Sequence, residues 1–282
     1  MVTLENAKKS YGPFTLSCSL SLQEDRITGL VGQNGAGKST MFKALLGLVR
    51  LDSGEVQVLG SHPESMTAQE KNRIGAVLSD SEFSVYMTVK QIASVMAAAY
   101  ENFDEPGFLS QCQEFQLPLD KKTKEFSTGM KAKLKVLLAL SHNADLLILD
   151  EPTAGLDVMA RDEILDLLRG YMQTEGRGIL ISSHISSDLE GLCDDIYMIH
   201  EGRIILHEDT DVILSNYGIL KMSEEEYAAL DKEYVLCVKK ESYGYSCLTK
   251  ERRFYQENAP SIIVEQCGID QAQIMLAGGK RK

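Results

Sequence analysis

The sequence has no run of apolar residues long enough to cross a membrane. Its longest apolar stretches lie around Val136–Leu140 and Leu146–Leu149, well short of the ~18 consecutive apolar residues that a spanning helix needs. The first residues, Met1–Gly12, lack the apolar segment of a secretory signal. The six cysteines are scattered, without a Cys-x-x-Cys pair, which argues against a disulfide framework or a zinc site. These absences predict a reduced protein of the cytosol.

An excess of basic charge is also missing. The net charge is −12, and residues 221–282 hold 10 basic and 10 acidic side chains, so the whole imbalance lies in residues 1–220. Proteins that bind nucleic acid without sequence preference use Lys and Arg side chains to displace the counterions of the phosphates. We therefore expect no nucleic-acid partner.

The hydrophobic share of 44% and the charged share of 25% are typical of a folded domain. Alternating or continuous apolar patterns predict strands at Val2–Leu4, Phe14–Leu22, Ile27–Val31, Glu55–Leu59, Leu146–Leu149, Gly178–Ser182, Asp195–His200 and Arg203–His207. Residues 85–142 are predicted to be mostly helical, with interruptions at Pro106 and Gly107 and at Pro118. This order of elements indicates an α/β nucleotide-binding fold with a helical subdomain.

The pattern changes after about residue 215. Ser223–Leu230 is predicted to be a helix that begins with a capping box, because Glu226 follows Ser223 by three positions. Candidate strands follow at Glu233–Lys239, Tyr243–Thr249 and Ser261–Glu265. We predict a small α+β appendage whose apolar strands pack on the main domain or on a second copy.

The strongest motif is a glycine-rich loop between a predicted strand and a predicted helix. It fits the pattern G-x-x-x-x-G-K-[ST] in full, with the residues Gly32, Gln33, Asn34, Gly35, Ala36, Gly37, Lys38, Ser39 and Thr40. Such a loop directs successive backbone N–H groups at one anion, and the helix adds its positive end. We expect Lys38 to reach the β- and γ-phosphates and Ser39 to ligate Mg²⁺.

A second motif is the apolar strand Leu146–Leu149, which ends in Asp150 and Glu151. Taken alone, such a strand is common. Combined with the phosphate loop, it predicts two carboxylates at the carboxyl edge of the sheet, where α/β sites form. Asp150 is expected on the Mg²⁺ side, and Glu151 is expected to orient and deprotonate a water that attacks the γ-phosphate.

The chain carries three further motifs. Phe126–Met130 lies upstream of the Asp150 and Glu151 motif, and Ala154–Asp157 and Ser182–His184 lie downstream of it. With the two motifs above, residues 1–215 resemble an ABC-type ATPase, the nucleotide-binding subunit of ABC transporters. The resemblance implies a P-loop NTPase core, an N-terminal antiparallel β subdomain, a helical subdomain at about 82–142 and a C-terminal accessory α+β region at 216–282.

The resemblance also assigns roles to individual residues. It implies that Ser127 and Gly129 of the signature motif contact the γ-phosphate of ATP bound to a second subunit, and that Asp157 of the D-loop belongs to the nucleotide site. His184 matches the switch histidine that contacts the γ-phosphate, and Tyr11 matches the aromatic residue that stacks on adenine. From the residues alone, Ser127 is a candidate cap of a basic helix that starts near Lys131.

Two positions depart from the family pattern. The signature motif has Thr128 and Met130 where Gly and Gln are typical. In addition, Ser79 or Asp80 stands where the family has the glutamine of the Q-loop, which helps to ligate Mg²⁺. Asp80 could serve as a metal ligand, because hard cations favour carboxylate oxygen, and the choice between the two residues stays open.

The resemblance implies a peripheral ATPase at the inner face of the membrane, which drives a separately encoded permease, and an exporter of the antibiotic-resistance or bacteriocin-immunity type. One phosphate loop and one signature motif require two chains, a homodimer or a pair of paralogues, for complete sites. The alternatives are a soluble ABC-type ATPase or a regulator without turnover. One phosphate loop disfavours translation-type members, a length of 282 residues disfavours DNA-repair members, and Glu151 and His184 disfavour the regulator.

Overall fold

The computed structural model describes residues 1–81 and 84–281, without the side chain of Arg281. The predicted start of the helical subdomain at residue 82 and the predicted end of the last region at residue 282 lie outside the described residues. The described strands are β1 Val2–Tyr11, β2 Phe14–Leu22, β3 Arg26–Val31, β4 Ser53–Val58, β5 Ile74–Val77, β6 Leu146–Asp150, β7 Gly178–Ser182, β8 Asp195–His200, β9 Arg203–Asp209, β10 Gly218–Met222, β11 Val235–Glu241, β12 Gly244–Thr249, β13 Ile263–Gln266 and β14 Lys280–Arg281. The helices are α1 Lys38–Leu45, α2 Ala68–Lys71, α3 Val89–Ala99, α4 Glu105–Glu114, α5 Thr128–Leu140, α6 Val158–Tyr171, α7 Ser186–Glu190, α8 Thr210–Asn216, α9 Glu224–Ala229, α10 Arg252–Asn258 and α11 Ile269–Gly278.

The central sheet has the strand order β5-β6-β7-β3-β8-β9. The first five of these strands run parallel, and β9 returns antiparallel to β8. Strands β6 and β7 are buried along their whole length, which explains their continuous apolar sequences. The carboxyl ends of β3, β5, β6 and β7 therefore meet at one edge of the sheet, and this edge carries the candidate site.

A smaller antiparallel sheet, with the order β2-β1-β4, is formed by the N-terminal residues. Its alternating apolar side chains share one buried cluster with α1 and with one face of the central sheet. Strand β1 extends to Tyr11, well beyond the predicted Leu4. Its polar second half lacks an apolar pattern, but pairing with β2 keeps it extended.

The helices α3, α4 and α5 enclose a separate cluster around Phe108, Leu134 and Leu137. Two details differ from the sequence prediction. Pro106 lies in the first turn of α4 instead of interrupting a helix, because the first turn needs no N–H donor from that residue. Helix α5 begins at Thr128, three residues before the predicted Lys131.

The C-terminal region forms a sheet of its own with the order β13-β10-β12-β11-β14. Residues of this sheet and of α11 belong to the same buried cluster as residues of the central sheet and of α7, among them Ile219, Leu248, Ile269 and Leu189. Helices α9 and α10 are associated with a separate cluster, which contains Tyr255. The C-terminal region therefore packs on the chain's own main domain.

All six cysteines are buried, and each is a thiol outside any disulfide bond. Burial raises the pKa of the thiols of Cys18, Cys112, Cys247 and Cys267 to about 12, which keeps these side chains protonated. In the described part of the chain, no helix combines the length and the apolar character that a bilayer-spanning segment requires.

Candidate active site

The glycine-rich loop connects the end of β3 to the start of α1, as predicted. Gly35 and Gly37 have φ angles of +80° and +114°, in the region that favours glycine. A Cβ atom on Gly37 would also lie 3.1 Å from the side chains of Phe14 and Leu16. At Gly37 the loop thus passes so close to β2 that a side chain would be crowded. Loops of this kind bind anions through backbone N–H groups.

Lys38 lies at the first position of α1 and is buried. Its ammonium group donates a hydrogen bond to the carbonyl oxygen of Gly32 over 2.7 Å and lies 3.4 Å from Oε1 of Glu151. Both partners are oxygen atoms at the mouth of the loop. The cation is therefore held where phosphate oxygens of a nucleotide can approach it.

Asp150, at the end of β6, is 2% exposed and collects hydroxyl groups from three neighbouring segments. Its Oδ2 accepts hydrogen bonds from Ser39 over 2.8 Å and from Ser79 over 2.7 Å. Its Oδ1 accepts one from Ser182 at the end of β7, over 2.7 Å. The structure thus brings the predicted pair Ser39 and Asp150 together and adds Ser79. These hard oxygen donors suit Mg²⁺.

Asp80 forms an ion pair with a lysine. Its Oδ2 lies 2.6 Å from the ammonium nitrogen of Lys43 on α1, and 61% of its side chain is exposed. This contact raises the pKa of Lys43 and lowers the pKa of Asp80. Of the two candidates for the glutamine's role, the structure brings Ser79 to Asp150, and it pairs Asp80 with a surface lysine.

Glu151 and His184 lie in direct contact. Oε2 of Glu151 lies 2.5 Å from Nδ1 of His184 and accepts a hydrogen bond from the His184 backbone N–H over 3.1 Å. Glu151 has a φ of +54°, and its own backbone N–H donates to Oγ of Ser182 over 3.0 Å. This turn aims the carboxylate across the edge of the sheet, beside the histidine that the sequence singled out.

The cleft at the loop has a volume of about 530 Å³. It is lined by Phe14, Gln33, Asn34, Gly35, Gly37, Lys38, Ser39, Thr40, Ser79, Asp150 and Glu151. Phe14 is the residue that the sequence analysis missed. The available signal was its place as the first residue of β2, right after the turn that follows Tyr11.

Tyr11, the predicted adenine partner, is not among the described residues that line this cleft. It ends β1 with 47% of its surface exposed, and the Lys9 ammonium lies 5.6 Å from its ring centre. Its contact with adenine stays a prediction.

Ser127, Gly129 and Asp157 are also not among the described residues that line the cleft. Ser127 caps α5 by accepting a hydrogen bond from the Met130 N–H over 3.2 Å, and Asp157 caps α6 in the same way through Ala160 over 2.9 Å. The predicted cap role of Ser127 is confirmed. Gly129 is half-buried in the first turn of α5, and a Cβ atom added to it would lie 3.5 Å from the Leu156 side chain.

A parallel sheet that places a glycine-rich loop, a buried Asp and a Glu–His pair at one edge defines a nucleotide-hydrolysing cassette of the P-loop class. Comparison with known proteins agrees: the ABC transporter family model matches residues 16–154. The lantibiotic transport ATP-binding protein SrtF of Streptococcus pyogenes is 34% identical over 219 residues, which cover 75% of this chain and 92% of SrtF. The chain belongs to the ABC transporter family as an ATP-binding subunit, and it is an ATPase.

Two more comparisons extend this result. The ABC transporter ATP-binding protein YtrB of Bacillus subtilis is 26% identical over 272 residues, covering 94% of this chain and 93% of YtrB. That match includes most of the C-terminal region. The solved structure of an ATP-binding subunit of an ABC transporter superimposes with a TM-score of 0.69 at 25% identity, over 76% of this chain and 91% of the other. The family and fold predicted from the sequence are confirmed.

Proposed function

We propose that this chain hydrolyses ATP with Mg²⁺ to drive a separately encoded membrane permease. The observation that carries the proposal is the convergence of Lys38, Ser39, Asp150, Glu151 and His184 at one sheet edge. Within one cleft, Lys38, Ser39, Asp150 and Glu151 supply a cation for phosphate, hard oxygen ligands and a carboxylate, and His184 contacts that carboxylate. This is the set of groups that phosphoryl transfer to water requires.

The oxygen atoms around Asp150 fit a magnesium ion. Ser39 and Asp150 would hold it, and Ser79 would support or join them, because its hydroxyl shares Oδ2 of Asp150 with Ser39. When bound, the ion neutralises charge on the β- and γ-phosphate oxygens.

In the proposed mechanism Glu151 orients a water molecule and accepts its proton as the water oxygen attacks the γ-phosphorus. The bond between that phosphorus and the β–γ bridging oxygen breaks, and ADP and inorganic phosphate leave. Lys38 holds the phosphates before and during this step. His184 contacts the γ-phosphate and keeps the carboxylate of Glu151 in place through its backbone N–H and its ring.

A second ATPase subunit would complete the site. Ser127, Gly129 and Asp157 lie outside the lining of the chain's own cleft, so in this proposal they serve the nucleotide of the partner. The two residues after Asp157 support this interface. Val158 and Met159 are 66% and 74% exposed in the single chain, and a second subunit would cover them. Apolar side chains of this size gain by burial at an interface.

The permease and the direction of transport rest on the relatives. SrtF is by its name a lantibiotic transport protein, and this supports an export function for the present chain at the inner face of the membrane. The acidic charge of residues 1–220 supports the expectation that nucleic acid is not a partner.

The test compares two substitutions. Glu151→Gln should lower kcat for ATP hydrolysis by at least about 100-fold, because the base is lost, while ATP affinity stays near the wild-type value and ATP-bound dimers accumulate. Lys38→Ala should weaken ATP binding itself by about 10- to 100-fold, since it removes a charge-assisted contact. Kinetics, nucleotide binding and sedimentation measure these effects, and undiminished hydrolysis by Glu151→Gln would refute the assignment.

A further inference from the structure

Helix α7 begins two residues after His184 and contacts the loop that follows Glu151. Its Asp188 is 2% exposed and accepts a hydrogen bond from the Thr153 hydroxyl over 2.8 Å. Asp188 also lies 3.6 Å from the guanidinium of Arg161 on α6. We name residues Ser182–Glu190 the switch segment. The contact of Asp188 with Thr153 therefore couples the position of the switch segment to that of residues 151–157.

The other side of the switch segment is held by the C-terminal region. The Ser186 hydroxyl donates to Asp270 over 2.7 Å, and Oε1 of Glu190 accepts a hydrogen bond from the backbone N–H of Ile269 over 3.0 Å. Gly268, which precedes α11, has no side chain to cap that helix. Glu190 supplies the missing cap, and its carboxylate suits the positive end of α11.

Apolar packing strengthens this junction. Leu189 is fully buried and belongs to one cluster with Ile269 and Ala272 of α11. The junction between the switch segment and α11 therefore combines hydrogen bonds with apolar packing. A movement of α11 would be transmitted to α7 and from there to His184 and to residues 151–157.

From this geometry we infer that the C-terminal region positions the switch segment for ATP hydrolysis, with Glu190 and Asp270 as positioning residues. The inference rests on the proposed roles of Glu151 and His184. The region acts on turnover and not on ATP binding, because its contacts are made with the switch segment. Among the described residues that line the nucleotide cleft, none belongs to the C-terminal region.

The experiment uses the full chain with Glu190→Ala, Asp270→Ala and both together. We expect kcat for ATP hydrolysis to fall by about three- to tenfold in the double variant, with KM for ATP and the affinity for an ATP analogue within about twofold of wild type. Glu190→Gln should restore most of kcat, because its amide oxygen still accepts from the Ile269 N–H. The matched control is Glu257→Ala, which removes an exposed carboxylate from α10 of the same region and should leave kcat unchanged.

Thermal unfolding of each variant separates positioning from folding. Unchanged kcat in the double variant, or an equal loss with Glu257→Ala, overturns the inference. A kcat loss that Glu190→Gln does not restore also overturns it, because the hydrogen bond would then not be the relevant contact. If the wild-type chain fails to hydrolyse ATP, the proposed function fails instead, so the two failures are distinct.

Discussion

Asp150 shows how a buried carboxylate can be stabilised and still remain ready for a ligand. Its three partners are the hydroxyl groups of Ser39, Ser79 and Ser182. Together the three hydroxyl groups provide hydrogen bonds to both oxygen atoms of the buried carboxylate, two to Oδ2 and one to Oδ1. A hydroxyl can also rotate and offer its oxygen to a cation, which an ammonium group cannot do. The three hydroxyl groups thus satisfy the buried carboxylate and are also able to offer oxygen atoms to Mg²⁺.

A first prediction at this scale ranks Ser79 against Asp80. Ser79→Ala should weaken Mg²⁺-dependent hydrolysis by about tenfold, because it removes a group that contacts the proposed metal ligand Asp150. Asp80→Ala should change it by less than about twofold, since an exposed ion pair with Lys43 contributes little. Titration of activity with Mg²⁺ measures both. The reverse ranking would assign the metal-side role to Asp80.

A second prediction concerns His142, which is buried and lies between the carbonyl oxygens of Leu138 and Ile74. Burial lowers the pKa of His142 below its usual value, so protonation favours the unfolded chain, whose histidine keeps the ordinary pKa. As far as His142 is concerned, the free energy of unfolding should therefore be highest above the ordinary histidine pKa of about 6.5. It should decrease as the pH falls below that value. Denaturant unfolding at several pH values should show a smaller loss in His142→Gln, and identical slopes would contradict this.

At the scale of elements, α3 and α5 begin in the same manner. Thr88 caps α3 by accepting from the Gln91 N–H over 3.2 Å, and Ser127 caps α5 with the same distance to the Met130 N–H. Both helices belong to the cluster around Phe108. The pair therefore offers a comparison in which one cap has a proposed functional role and the other has a structural one.

Ser127→Ala and Thr88→Ala should each lower the free energy of unfolding by about 1 kcal/mol. Ser127→Ala should in addition lower ATP hydrolysis, because Ser127 is proposed to contact the γ-phosphate of the partner's nucleotide. Thr88→Ala should leave hydrolysis unchanged. Urea unfolding and steady-state kinetics distinguish the two effects, and equal activities would remove Ser127 from the composite site.

At the scale of the molecule, the C-terminal region completes the main core. Leu189 and Ile213 of the main domain share one buried cluster with Ile219, Leu248 and Ile269. A chain that lacks the C-terminal sheet would expose this apolar surface to water. The region is thus a structural part of the protein, in addition to its proposed role in positioning the switch segment.

A chain that ends at Tyr217 should have a Tm lower by about 10 °C and should aggregate more readily, because several buried aliphatic side chains become exposed. Any folded fraction should keep its affinity for ATP, since the glycine-rich loop is complete. Calorimetry, sedimentation and nucleotide binding check these expectations. Equal stability of the two chains would show that the shared cluster contributes little.

The nucleotide site could be predicted from the sequence wherever it depends on neighbours along the chain. The loop at Gly32–Thr40 and the pair Asp150 and Glu151 are of this kind, since strand, loop and helix follow each other directly. Ser79 could not be assigned, because its contact with Asp150 spans 71 positions and exists only through the pairing of β5 with β6. Phe14 escaped for the same reason, because its position depends on how β2 packs against the loop.

The C-terminal region was predicted as α+β, but its joint with the main domain was not. Strand β10 is a run of five residues, Gly218–Met222, too short for its pattern to separate strand from helix. The contacts of Glu190 with Ile269 and of Ser186 with Asp270 link residues 79 and 84 positions apart. Local sequence patterns carry no information about such pairs.

The buried cysteines give the chain an internal set of chemical probes. They are spread over its parts: Cys18 in β2, Cys112 in α4, Cys193 beside the central sheet, and Cys237, Cys247 and Cys267 in the C-terminal region. An inaccessible thiol does not react with an alkylating reagent, so each cysteine becomes labelled only when its own surroundings open. The order in which the six thiols are labelled would therefore show which part of the molecule unfolds locally first. ATP should slow the labelling of those cysteines whose surroundings it stabilises.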